Sequence, residues 1–420
     1  MDKLNILIVI DNEDARILGD RPLSKHWNVF WYSVDYDNLY EKIPLIKELI
    51  YKNNINLILY SRNDQVGNRI RIGSITRSLR VGYSSFSGID ERYRVAEMKQ
   101  CFEDFIDPCR RLNFEIDDRK YSKSLTKILG NRNYSSVKNN EEGTFTLVFD
   151  VEQLGGVRYG LPRILYILDM FDIKATFFVT NFVKKIYCNI LEEIRNRGHE
   201  VGIHGLYHEY LSNHNQQVQE MLIHKMISDF GGGISGANFI GRMNKDTLHA
   251  LVNNGIQYFV HPLINRYHLF SYTKIPAIPQ VFQISGKEIW MLPIAVETYG
   301  LPFLSIKNMV DSALKIGQRY GVNHLTLLLH DFRDGNLRHI QTTLRLIYYL
   351  IQKGLRPIML KNVISEFSER KKFYVPLDDE IFFQGSEKIS PPMSKEDFIG
   401  FIPENLINLY KFFMWKYEIF

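Results

Sequence analysis

Four side chains have the types and spacing to hold a divalent ion: Asp150 and Glu152, two residues apart, and His204 and His208, four apart. In extended chain, residues i and i+2 point to the same side, so the two carboxylates can face one site. Two histidines four apart share a face if the chain makes a helical turn between them. One carboxylate with two imidazoles is a ligand set that holds a metal and leaves positions open for water and substrate. The other carboxylate is then free to act as a base. An HxxxH alone is a weak signal, because histidines at this spacing also occur solvated or hydrogen-bonded. A carboxylate pair upstream, at the end of a strand in the same run of βα units, strengthens it.

The elements that must position these residues are legible around them. The apolar runs 145–149 and 175–179 have the length and the aromatic and β-branched content of buried parallel strands, and 161–171 repeats its apolar residues at helical spacing. This predicts a β-α-β unit with Asp150 where its first strand ends, the place where α/β folds collect ligand sites. The pattern continues with helices over 186–197, 218–230, 245–254, 309–320 and 340–353. Strands are predicted at 201–203, 258–260, 281–284, 289–292, 325–329 and 356–360. Seven or so βα repeats make a distorted (β/α) barrel the natural closure.

The stretch from Thr144 to about Phe367 resembles the NodB-type polysaccharide deacetylases, carbohydrate esterase family 4, in the branch whose first motif is F-D-V-D or F-D-V-E. The resemblance is carried by Phe149-Asp150-Val151-Glu152, by Leu161-Pro162-Arg163 opening a helix, and by Ile173-Lys174-Ala175-Thr176-Phe177-Phe178-Val179. Gly198-His199-Glu200-Val201-Gly202 and the run from His204 to His208 complete it. It implies a metal held by Glu152, His204 and His208, most often Zn2+, with Co2+, Ni2+ or Mn2+ as alternatives. It implies Asp150 as general base, His330 at the end of a late strand as general acid, and Arg242 orienting Asp150 by a charge-assisted pair. Two departures stand out. Arg242-Met243-Asn244-Lys245 lacks the proline and aromatic of the family's R-x-P-Y/W, which form the groove wall that grips a polymer. Glu152 is one methylene longer than the aspartate more usual at the metal.

The rest of the chain bounds the possibilities. With 420 residues, 45% of them hydrophobic, it suits more than one core. A formal charge of +5 without a dominant basic run disfavours nucleic acid as a partner. Three cysteines without metal-ligand spacing argue against a disulfide framework, and no secretory leader is recognisable, so a cytoplasmic enzyme is expected.

Residues 1–114 are expected to form a small Rossmann- or flavodoxin-like α/β domain, with strands at 4–10, 28–34 and 56–60 and a helix at 40–51. Residues 115–143 are the linker, 144–370 the NodB-like barrel, and 371–420 a helical appendage whose aromatic face packs back on the protein, on a second copy or on a membrane surface. No run is long enough to span a bilayer. Arg62 and Arg69, in and beyond the loop after Tyr60, are candidate phosphate ligands.

Together with the resemblance, these features imply a deacetylase for an N-acetylated amino sugar, carried on a nucleotide or lipid diphosphate. The alternatives are an inactive barrel serving as a scaffold, and a deformylase or other amide hydrolase.

Overall fold

The computed structural model describes residues 3–19, 24–61, 76, 79–115, 143–241, 243–262, 278–298, 300–368 and 373–375. Arg62, Arg69, Arg242, nearly all of the expected linker and the expected C-terminal helix lie outside these residues.

The first strand, β1 (Leu4–Asp11), is apolar but for Asn5 until its last residue. Such a run needs neighbours on both sides, and it has them. It pairs in parallel with β2 (Trp27–Val34) and β3 (Leu57–Tyr60), and β3 pairs with β4 (Gly82–Ser85), giving the order β2-β1-β3-β4. With α1 (Asn12–Leu18), α2 (Ile43–Lys52) and α3 (Arg94–Ile106) this is a Rossmann-like unit of the flavodoxin strand order. The helix expected at 40–51 begins later, with Pro44 in its first turn, and Tyr36–Lys42 instead wind as a 3-10 helix.

The second sheet begins with the expected β-α-β unit: β5 (Gly143–Val151), α4 (Leu161–Met170) and β6 (Thr176–Val179). It continues through α5 (Asn181–Ile186), α6 (Ile190–Asn196), β7 (Glu200–Ile203), α7 (Gln216–Asp229), β8 (Gly236–Ala237), α8 (Lys245–Asn253) and β9 (Tyr258–Pro262).

Among the described residues the βα alternation then stops. β10 (Gln280–Ile284) and β11 (Lys287–Ile294) are an antiparallel hairpin, closed by Ser285 and Gly286 at φ 50° and 78°. Positive φ at both central residues is what a tight two-residue hairpin turn demands.

The chain ends with β12 (Val296–Glu297), α9 (Phe303–Arg319), β13 (His324–His330), α10 (Asp331–Asp334), α11 (Ile340–Gln352), β14 (Leu355–Pro357), α12 (Leu360–Ser368) and β15 (Phe373–Val375). Among the described residues the order is β12-β13-β5-β6-β7-β8-β9-β11-β10-β15, with β14 also on β5. Among the described residues the path is open and does not close into a ring.

Two expected elements differ for tertiary reasons. The helix predicted at 186–197 is broken, because residues 109–110 donate backbone hydrogen bonds to Lys185 and Ile186 and the Asn189 side chain turns to bond the backbone of Leu112. The strand predicted at 356–360 is shorter, and Leu360 instead starts α12, its N–H donating to the Thr176 hydroxyl.

One apolar cluster runs through both sheets. It joins Ile6 and Ile8 of β1 to Phe145 and Phe149 of β5, and the rings of Phe86, Phe102, Phe105 and Phe182 form a chain across the junction. Each such ring, fully buried, contributes roughly 1.5–3 kcal/mol. Buried Asp104 of α3 accepts from Arg158 at 2.5 Å and from the Tyr187 hydroxyl at 3.1 Å. A carboxylate there without partners would be strongly destabilising, so this contact also fixes how the two sheets meet. Among the described residues no helix is long and apolar enough to cross a membrane.

Candidate active site

The two carboxylates sit where β5 ends. Its register places Asp150 beside His330 of β13 on one side and Phe178 of β6 on the other. Asp150 Oδ1 accepts from Asn238 Nδ2 at 2.7 Å, and Oδ2 lies 3.7 Å from His204 Nε2 and 3.9 Å from His330 Nε2. Glu152, two residues on, turns Oε2 to within 2.6 Å of His208 Nε2 and 3.3 Å of His204 Nε2. Asp150, Glu152, His204, His208, Asn238 and His330 are all buried.

The histidines share a site, but not through a helical turn. His204 directly follows β7, and its Nδ1 bonds the Asn238 carbonyl, which turns Nε2 towards the carboxylates. The chain then bends. Gly205 has φ 99° and His208 has φ 61°, a conformation L-residues adopt rarely and at some cost. The bend is tied by Glu209, whose buried carboxylate accepts from the N–H groups of Leu206 at 3.0 Å and Tyr207 at 2.6 Å. It leaves the two imidazoles 4.9 Å apart, ring to ring.

Burial and the neighbouring Glu152 charge push Asp150 up to about 7, against the lowering effects of His204 and the Asn238 amide. Burial alone would lower His204, but Asp150 and Glu152 outweigh it and carry the imidazole up to about 9. Both shifts come from carboxylates and an imidazole crowded together out of water, each acting on the charge of the other.

The donor atoms of Glu152, His204 and His208 lie within 4.8 Å of one another, the one group of that kind among the described residues. Two nitrogens and an oxygen are a donor set suited to zinc, and the Asn238 carbonyl on the far nitrogen of His204 is the outer hydrogen bond that metal-bound imidazoles commonly make. The residues present therefore fit a divalent ion.

His330 is positioned by Asp334, which accepts from its N–H at 2.8 Å and from the Thr298 hydroxyl at 2.7 Å. Beside it Asp331 is fully buried, and burial with the charges of Glu152 and Asp150 holds its carboxyl well above the ordinary carboxylate range. His199, in the G-H-E motif, lies at the opposite end of its strand, where Nδ1 accepts from the Ala175 N–H at 3.2 Å.

Asn238, Glu209 and Asp334 carry no signal in their own sequence neighbourhoods. β8, which delivers Asn238, is only two residues long and too short to show periodicity.

In the N-terminal unit, two buried acids lie at and just past the end of β1. Asp11 caps α1, and Asp14 bonds Arg94 and Ser61 at 2.8 Å each.

Residues 137–230 match the family model for polysaccharide deacetylase, a span that includes Asp150, Glu152, His204 and His208. Over that span the chain is similar to polysaccharide deacetylases. Solved structures resembling it include a protein of the polysaccharide deacetylase type from Mycobacterium smegmatis, with 17% identity over 58% of this chain and 96% of that one and a TM-score of 0.48. PuuE allantoinase is similar at 14% identity over 61% and 98% of the two chains, with a TM-score of 0.46. A protein of the same type from Pseudomonas aeruginosa PAO1 is similar at 12% identity over 58% and 99%, also with a TM-score of 0.46. None of the curated proteins matches the sequence significantly. His330 and all of β1 to β4 lie outside the span matched by the family model.

Proposed function

We propose that this protein is a metal-dependent N-deacetylase that hydrolyses the acetamide of an amino sugar. The observation that carries the proposal is the meeting of Glu152, His204 and His208 at one point, with Asp150 and His330 beside it. The deacetylase family match supports hydrolysis of an acyl group.

Glu152, His204 and His208 would hold the ion, which supplies Lewis acidity to water and to the acyl carbonyl when bound. Asp150, held at Oδ1 by Asn238, takes a proton on Oδ2 as water adds to the carbonyl carbon. His330 gives a proton to the departing nitrogen as the C–N bond breaks, leaving acetate and a free amine. The backbone bond to Asp334 holds the base of that imidazole in place.

The substrate we favour is a glycan precursor on a nucleotide or lipid diphosphate, with the diphosphate held at Arg62 and Arg69. What supports this reading is the arginine type of both residues, whose guanidinium matches the geometry of a phosphate.

The test is acetate release from an N-acetylated sugar oligomer and from a diphosphate-linked N-acetyl sugar, before and after chelation and with Zn2+ restored. Acetate that appears with Zn2+ and disappears on chelation is the expected result. Folded, Zn2+-loaded protein that releases acetate from neither substrate would overturn the proposal.

A further inference from the structure

The edge strand of the N-terminal sheet lies directly against the residues that would hold the ion. Among the described residues β4 pairs with β3 alone in the sheet order, yet all four of its residues are buried, and the bend between the two histidines and the backbone of Glu152 lie against it. Gly82 meets the bend between the two histidines. A Cβ there would fall 2.0 Å from the Tyr207 carbonyl oxygen and 2.4 Å from the Tyr207 Cβ, so the two backbones touch and only glycine fits. The Tyr83 ring lies 4.6 Å from the His208 ring, inclined by 52°. The Ser84 hydroxyl donates to the main-chain carbonyl of Glu152 at 2.6 Å. Further along, Ser87 packs its carbonyl against Gly155, and Asp90 accepts from the Leu337 N–H at 2.6 Å and pairs with Arg163 at 2.8 Å.

Three consecutive residues of one strand thus reach the bend carrying His208, the His208 ring itself, and the backbone of Glu152. Both supported residues need such help. His208 has a backbone conformation that its own side chain disfavours, and Glu152 lies just past the end of β5, where strand pairing no longer holds the chain.

We propose that β4 is a working part of the catalytic centre: Tyr83 and Ser84 are positioning residues that hold His208 and Glu152 in ligating geometry. The N-terminal unit is therefore required for metal affinity as well as for any substrate contact. This inference rests on the metal reading given above. Groups that orient metal ligands from outside the first layer of donors commonly change affinity 10- to 100-fold when removed, which sets the expected scale.

The experiment uses the full chain and reads metal binding rather than turnover. Zn2+ affinity is measured by competition with a chromogenic chelator, the visible spectrum of the Co2+ form reports ligand geometry, and thermal melting checks folding. Ser84→Ala and Tyr83→Leu are expected to weaken Zn2+ binding by about 10- to 100-fold and to alter the Co2+ spectrum. Tyr83→Phe, which keeps the ring on His208, should bind like the parent.

Folded Ser84→Ala and Tyr83→Leu proteins with parental affinity and spectrum, alongside a His208→Ala variant that loses the ion, would overturn the role of β4 and leave the metal site standing. A His208→Ala variant that binds as tightly as the parent would instead remove the ligand assignment, and this inference with it. If Tyr83→Leu fails to fold, Ser84→Ala, which deletes a single hydroxyl, decides the matter by the same criteria.

Discussion

Asp150, next to last in β5, and His330, last in β13, are register partners on neighbouring parallel strands, with Oδ2 and Nε2 3.9 Å apart. The carboxylate and the imidazole to which the proposed mechanism gives the base and acid roles are thereby held side by side by backbone pairing. Asp150→Asn keeps the shape and the ion but loses the base, so kcat for acetate release should fall by roughly 10^2 to 10^4 with metal content unchanged. Glu152→Gln should instead lower metal content. Elemental analysis and steady-state rates on the two variants distinguish these outcomes, and the reverse pattern would exchange the two roles.

Asn238 serves both halves of the site, with its side-chain amide on Asp150 and its main-chain carbonyl on His204. Asn238→Ala removes only the first contact. The expected result is a loss of about one to two orders of magnitude in kcat, with KM and Zn2+ affinity near those of the parent, because a misplaced catalytic group costs rate more than binding. An equal loss of metal would show that the substitution disturbs the backbone beneath His204 as well.

Gly160 is constrained by space rather than by conformation. Its φ of −82° suits any residue, but a Cβ there would lie 2.0 Å from the Asp331 carbonyl oxygen. Gly255 is the opposite case, with φ +76° and nothing within 4 Å. Gly160→Ala should therefore cost about 3 kcal/mol or more through overpacking beside His330, and Gly255→Ala about 1–2 kcal/mol through backbone conformation alone. Urea unfolding of both variants checks the ranking.

His199 is buried and kept neutral. Burial first, then the nearby Lys174 charge, lowers it from 6.5 to about 4. In the unfolded chain it takes up a proton near its ordinary value, so its share of stability is complete above about pH 6.5 and is lost as pH falls towards 4. At its fullest that share is on the order of 3 kcal/mol. His199→Gln, which can still accept from the Ala175 N–H, should flatten the fall in stability between pH 6.5 and 4. Chemical denaturation across that range is the measurement, and an unchanged slope would place the acid sensitivity elsewhere.

The sequence by itself determined what depends on neighbours along the chain. The apolar run at 145–149 specified a buried strand, the period-two rule put Asp150 and Glu152 on one side of its end, and the helix opening at Leu161 returned the chain for a parallel partner. The same logic yielded β1, β2, β3 and the flavodoxin-like character of the first sheet. Residue types and order also carried the family resemblance.

Tertiary structure decided what depends on residues far apart. The bend that turns His208 to Glu152 is held by a buried carboxylate and a positive φ, neither of which shows as periodicity. The β10–β11 hairpin interrupts the βα count, and the open path of the sheet follows from strand order. Asn238 comes from a strand too short to read. Tyr83 and Ser84 meet His208 and Glu152 from a different sheet, across 125 and 68 positions of sequence. Local propensity encodes the period of a strand or helix. It carries no record of which distant side chain will fill the space beside a ligand, because that is fixed only when both sheets pack around their shared core.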